Sequence, residues 1–419
     1  MSRTATSSRT GFVLVTLTLG LLVAASSAPS PVFPVYQELW GVGPAAVTVV
    51  FAVYAAVLLV ALLTVGSLSD HLGRRPVVLA ALVGVIASML VFSQASDVAT
   101  LVAGRALQGF STGTAIGALG AWLLDLAGPT RAPLAQLVNG AAPPAGLMAG
   151  GLGAGVLVQF GPAPTELTYL VLAGLLLLAL VAVALTPDVV GRAPGALRSL
   201  RPVVQLPASS RGAFTAHLPG FLGSWGLGGL CLGLGPSVVA GVFGLHNHVV
   251  GGLVVASVAG VGAVTGVLTR HQDPRRVMTL GMAGLVAGPL VLVLGLTLLS
   301  VPVFFAGALL SGVGFGAGFQ GALRGVLGTA PAHERAGVLA AVYVVSYLAF
   351  GLPAVVAGFL APHLGLRPVV DGYVALVVVA GVAGLTASVR AGRRTPRHSA
   401  AVPGQLRRSP EACPLQERA

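Results

Sequence analysis

Hydrophobic positions in this chain gather into twelve runs of 18 to 29 residues. They lie near 11–33, 44–66, 77–94, 99–122, 133–159, 167–186, 212–240, 249–269, 277–299, 301–323, 337–361 and 368–389. None alternates polar with apolar, so the period of a half-buried strand is missing and a membrane barrel is excluded. At 1.5 Å per residue each run is long enough to cross about 30 Å of hydrocarbon as a helix. The pattern predicts an all-α integral membrane protein of twelve transmembrane helices. The longest internal polar segment, 187–211, carries four prolines and four arginines and divides the helices six and six. The expected organisation is a cytoplasmic N-terminus (1–10), a six-helix bundle (11–186), a cytoplasmic linker (187–211), a second six-helix bundle (212–390) and a disordered cytoplasmic tail (391–419).

Composition changes this picture only by removing alternatives. The 419 residues are 55% hydrophobic and 8% charged, whereas a soluble domain carries roughly 25% charged residues. The net charge of +12 comes entirely from arginine, and its placement answers the question of a nucleic-acid partner. With the N-terminus inside, 21 arginines fall on inner segments or tails and only Arg367 outside, with Arg105 within a span. That asymmetry is the positive-inside rule, so no nucleic acid is implied and both termini are expected on the cytoplasmic side of the inner (plasma) membrane. Arg3 and Arg9 before the first run, and the small residues at 24–28, also fit a cleaved signal peptide; a retained first helix is the reading adopted. Cys231 and Cys413 have no ligand or disulfide spacing.

Residues 66–76 read Gly-Ser-Leu-Ser-Asp-His-Leu-Gly-Arg-Arg-Pro. This string resembles the signature loop between the second and third helices of the major facilitator superfamily of secondary transporters. The resemblance implies two pseudo-symmetric six-helix bundles around a central cavity that opens alternately to each side. It also implies a gate made by Asp70, Gly73, Arg74 and Arg75, with Asp70 approaching the start of the eleventh helix near Ala336 and Gly337 when the transporter faces outward, and Asp125 joining Arg74. A plain cytoplasmic turn accounts for the arginines but not for a carboxylate among them. The halves echo one another: Gly66 and Arg74-Arg75 recur as Gly266 and Arg275-Arg276, as duplicated bundles would have them.

Arg105 is the one charge well inside a span. Arginine at mid-membrane costs about 2.5–3.5 kcal/mol on insertion scales, so it needs a partner or a wet cavity, or must snorkel to the surface. Its setting, Arg105-Ala-Leu-Gln108-Gly109, resembles the superfamily's fourth-helix motif, which implies substrate or proton handling by Arg105 and Gln108. The fifth run holds Gly140, Pro143, Pro144, Gly150 and Gly151. It is similar to the Gly-Pro-rich motif of the superfamily's drug–proton antiporters, although Pro-Pro replaces Gly-Pro; close helix packing explains it equally well. Tyr36 and Glu38 either line an outward cavity or sit at the interface. Phe319 and Gln320 either face the cavity or pack, and Trp225 is open to the same two readings. His246 and His248 lack a third ligand, so no metal site is expected.

No span holds paired carboxylates, a Ser-His-Asp set or a phosphate-binding lysine loop, so the chain does not read as an enzyme or an ATP-driven pump. The expected function is proton-coupled efflux of small lipophilic or drug-like molecules, by a monomer with no cofactor and the proton gradient as energy source. The alternatives are a facilitator or importer of a neutral metabolite, or a transporter-derived sensor. All eleven carboxylates lie at or beyond helix ends. A proton carrier is therefore not identified; Glu38, Asp371, Asp125 and, through water, Arg105 are the candidates.

Overall fold

The computed structural model describes residues 2–188, 193–202, 204–331 and 334–394. The polar tail from residue 395 lies outside them. Among the described residues the chain is helical throughout, with no strand. Eight spans are single helices: Pro44–Thr64, Arg74–Ser93, Leu167–Leu185, His248–Leu268, Pro274–Thr297, Val301–Leu327, Arg335–Leu364 and Leu366–Arg394.

The other four spans depart from simple rods. Val98–Phe160 forms a helical stretch of 63 residues, about 95 Å if straight and three times too long for one crossing. Gly128 breaks it with φ 65° and ψ 179°, a conformation suited to glycine. The legs fold back on each other, since Asn139 Nδ2 donates to the carbonyl of Gly120 at 2.9 Å although 19 residues separate them. These legs are the fourth and fifth spans. The first span stops at Ser27, passes through a 3₁₀ turn at Ser30–Val32 and resumes as Phe33–Trp40. The seventh, Ala208–Gly233 followed by Gly235–Phe243, bends by 55°. The twelve apolar runs thus become twelve spans, and the first and seventh, which open the two halves, are both discontinuous near one end.

Where helix ends meet solvent, the local sequence caps them. Asp97 accepts from the Thr100 N–H at 2.7 Å, Asn247 from the Val249 N–H at 3.0 Å and Asp273 from the Arg275 N–H at 2.8 Å, each satisfying an orphan donor. Asp97 also accepts from Thr100 Oγ1, and these bonds hold its carboxyl below the usual carboxylate range.

Glycine sets the spacing between helices, as expected where lipid offers no hydrophobic drive to association. A Cβ on Gly284 would stand 2.5 Å from the Gly314 nitrogen, and one on Gly321 2.6 Å from that of Met278. The ninth and tenth spans therefore touch backbone to backbone. The halves meet along two seams, the second span against the eleventh and the fifth against the eighth. At the first seam the rings of Phe51 and Phe350 lie 4.7 Å apart. At the second, a Cβ on Gly151 would come 2.8 Å from Val255, and one on Gly155 2.7 Å from the carbonyl of His248.

Candidate functional site

The loop after the second span forms a short helix, Ser69–Leu72, closed by Gly73 at φ 96°, where any other residue would be strained. Arg74 is the hub that follows. Its Nε donates to Asp125 Oδ2 at 3.1 Å and its Nη1 to Ser69 Oγ at 2.8 Å; Nη1 also pairs with Asp70. The structure therefore brings Asp70, Arg74 and Asp125 together. Arg75 contributes its backbone N–H, which donates to Asp188 of the linker at 3.2 Å. A Cβ on Gly73 would press into the same carboxylate. Further contacts hold the linker against the loop. Ala193 N–H donates to the His71 carbonyl at 2.9 Å, and Ser67 Oγ donates to that of Ser199 at 3.0 Å.

Asp70 stands away from the eleventh span in this state. Its side chain is 56% exposed, and the space at Gly337 is taken by the linker's Gln205, 3.0 Å from where a Cβ would sit. The reason is the state of this end of the molecule. A cavity of about 540 Å³ opens here between the halves, lined by the fifth span on one side and the eighth and tenth on the other. The opposite end is sealed across the halves. Glu38 meets His246 Nδ1 at 3.3 Å, Ser237 Oγ donates to Gln37 at 3.0 Å, and the His248 N–H donates to Gln159 at 2.9 Å.

Arg105 is 1% exposed, so it neither snorkels nor reaches the cavity. Its Nη1 donates to the Ser26 carbonyl at 3.0 Å and to Gln108 Oε1 at 2.8 Å, and Gln108 Nε2 donates to the Ala25 carbonyl at 2.8 Å. The first helix ends at this point. Ala25 would bond the nitrogen of residue 29, which is a proline and has no N–H. Arg105 and Gln108 thus cap the carbonyl end of a broken helix inside the bundle, where the helix dipole favours a cation. The rings of Tyr54, Phe33 and Phe92 surround the guanidinium at 5.2, 5.5 and 6.0 Å, favourable for a desolvated cation.

The remaining candidates divide. Tyr36 is 1% exposed, stacks on Trp40 at 4.6 Å and meets the Tyr169 hydroxyl at 3.4 Å; with Arg105 and Gln108 it is sealed in the first bundle and lines no cavity in this state. Gly150 faces the first span at Ala24 and Ser27, and Gly151 faces the eighth. Pro143 and Pro144 sit half-buried within the fifth span. Gly140 and Gln320 line the cavity from opposite halves. Phe319 lies beside Gln320 and packs edge-on against Trp225 at 5.6 Å; Trp225 in turn meets Tyr347 at 4.6 Å and Phe350 at 5.7 Å. Sequence reasoning treats Phe319 and Trp225 separately and does not join them. It misses Arg270, His271 and Arg324 on the cavity wall, because arginine at an inner helix end looks like a topology signal. No group of three metal-ligating side chains occurs among the described residues.

The model of the Major Facilitator Superfamily matches residues 15–300. No curated protein sequence matches the chain. Among solved structures, the human organic anion transporter MFSD10 (TETRAN) is similar at 19% identity and a TM-score of 0.64, with 90% of this chain and 99% of that one covered. A bacterial homolog of the human lysosomal transporter Spinster, inward-facing and unoccupied, aligns at 13% identity and a TM-score of 0.71, covering 91% and 97%. The nucleoside transporter NupG, in a point-mutant form, aligns at 12% identity and a TM-score of 0.66, covering 90% and 99%.

Proposed function

This chain belongs to the Major Facilitator Superfamily, and on that premise we propose that it exports small, largely apolar molecules across the plasma membrane by alternating access, driven by the proton gradient. One observation carries the reading: the cavity between the halves is open at the arginine-rich end and sealed by polar contacts between the halves at the other. If arginine marks the cytoplasmic side, this is the inward-facing state, ready to load from the cell. Rocking about the seams would part Glu38 from His246 and close Asp70 towards the eleventh span. The structural relatives are named for different cargoes, so the fold does not select a substrate.

Coupling falls to Glu38 and His246. Arg105 is held by the Ser26 carbonyl and Gln108, whereas the Glu38–His246 pair joins opposite halves and must break in each cycle. One proton falling through 100 mV supplies about 2.3 kcal/mol.

The test uses proteoliposomes and fluorescent lipophilic dyes of either charge or none. A Glu38→Cys, His246→Cys pair, made in a Cys413→Ser background, is expected to stop dye exchange when oxidised and to recover on reduction. Exchange that ignores the crosslink would overturn alternating access. Wild type should respond to an imposed pH gradient, and Glu38→Gln and Asp70→Asn should not. Wild-type movement indifferent to the gradient would leave a facilitator instead.

A further inference from the structure

We propose that the ligand of this cavity is an amphiphilic anion: one carboxylate, sulfonate or phosphate group on an apolar body. The inference rests on the transporter reading above and adds the charge of the cargo.

The cavity, at about 540 Å³, has the size of a small-molecule site. Its walls are divided by chemistry. The fifth span supplies Pro133, Leu134 and Leu137, a smooth apolar face in which Gln136 is the polar break. Opposite stand Arg270, His271 and Arg324, with Gln320 above them, and no lining residue is acidic. The acidic residue nearest in sequence, Asp273, is engaged as a cap by the N–H groups of Arg275 and Arg276. The positive charge on this wall therefore has no counter-ion within the cavity.

The two arginines are held differently. Arg324 donates from Nη1 to the Arg270 carbonyl at 2.9 Å and from Nη2 to that of Thr269 at 3.3 Å. It caps the eighth helix and is fixed in place, while its buried Nε has no hydrogen-bond partner. Arg270 is exposed, and among the described residues its side chain donates only through Nε, to His271 Nε2 at 2.8 Å. The terminal nitrogens of Arg270 meet no protein acceptor among the described residues, and a guanidinium offers a carboxylate or phosphate two parallel donors. The apolar body would lie against Pro133, Leu134 and Leu137 on the facing wall. A cation would meet two arginines and no carboxylate, so lipophilic cations are the poorest cargo for this wall.

The experiment uses full-length protein in phosphatidylcholine nanodiscs and three probes sharing one fluorophore: dansylglycine (anion), dansylglycinamide (neutral) and N-dansylethylenediamine (cation). Binding is read by energy transfer from tryptophan. Dansylglycine is expected to bind about tenfold more tightly than its amide. That ratio should fall to near one in Arg270→Gln and persist in Arg270→Lys. Equal binding of the three probes, or preference for the cation, would overturn the proposal. If the dyes nonetheless exchange across proteoliposomes, the transporter reading stands without it. Preference for the anion with no exchange of any dye would keep the charge assignment and sink the transporter reading. Adding phosphatidic acid to the nanodisc separates the sources of this chemistry. Displacement of dansylglycine assigns the wall to a lipid headgroup; undisturbed binding assigns it to a soluble anion; either supports an anionic ligand.

Discussion

The two halves of the molecule begin with the same difficulty, a first helix that breaks within the membrane, and they resolve it in different ways. In the N-terminal half the break at Ser27 leaves carbonyls bare, and the eighth residue of the fourth span, Arg105, comes in to satisfy them with Gln108. In the C-terminal half the seventh span only bends. The Leu234 N–H bonds the Leu230 carbonyl at 2.9 Å and Val238 bonds Leu234 at 2.9 Å; Pro236, like Pro29, withholds an N–H from the carbonyl four residues earlier, yet Arg105 is the one buried arginine among the described residues. The eighth residue of the tenth span is Ala308, wholly buried. The polar network rigidifies the first half, and the aromatic cluster and basic wall gather in the second. The buried charge thus stands in one bundle and the basic wall of the cavity in the other.

The contrast can be broken most severely by placing a cation where no carbonyls await it. Ala308→Arg should cost about 3 kcal/mol or more from insertion alone, seen as loss of the monodisperse peak in detergent. Next, Arg105→Ala removes a charged hydrogen bond from the Ser26 carbonyl and should lower stability by about 2–3 kcal/mol, read as a drop in the thermal unfolding midpoint. Gln108→Ala should cost about half of that, and the double variant should fall short of the sum because the two side chains form one network. Gly151→Val fills the seam between fifth and eighth spans and should cost about 1–3 kcal/mol, with a larger loss of dye exchange than of stability. Phe319→Leu, in the other half, removes two edge contacts, to Phe221 and Trp225, worth about 0.5–1.5 kcal/mol each at most, and should lower dye affinity as well as stability. The smallest effect belongs to Asp125→Asn. Its carboxylate is 31% exposed and Arg74 keeps Asp70, so stability should change by less than about 1 kcal/mol, measurable in a double-mutant cycle with Arg74.

How much of this was legible in the chain depends on the range of the interaction. The span boundaries, the division at the linker and the hairpin turn between the fourth and fifth spans are local, and the apolar runs mark each of them. The grouping of Asp70 with Arg74 is four residues long and readable as such. The carbonyl partners of Arg105 and Gln108 were not readable, because they lie 79 and 83 residues away, and every residue has a carbonyl. Pro29 was the available signal: a proline shortly after a helix leaves an orphan acceptor, and a lone membrane cation is what answers it. Trp225 and Phe319 stayed separate for the same reason, lying 94 positions apart with nothing in either segment to pair them.

By itself the sequence determined how many times the chain crosses the membrane, where it is cut in two and which end gathers the arginines. Each follows from the transfer of single side chains between water and hydrocarbon, which requires no knowledge of neighbours. Only the tertiary structure decided which end is open, that Arg105 serves as a cap and reaches no cavity, and that the wall facing the fifth span is basic. Those outcomes turn on pairs of distant groups that must satisfy each other where no water can. The choice among such pairs is made by how twelve helices of similar composition pack at their glycines.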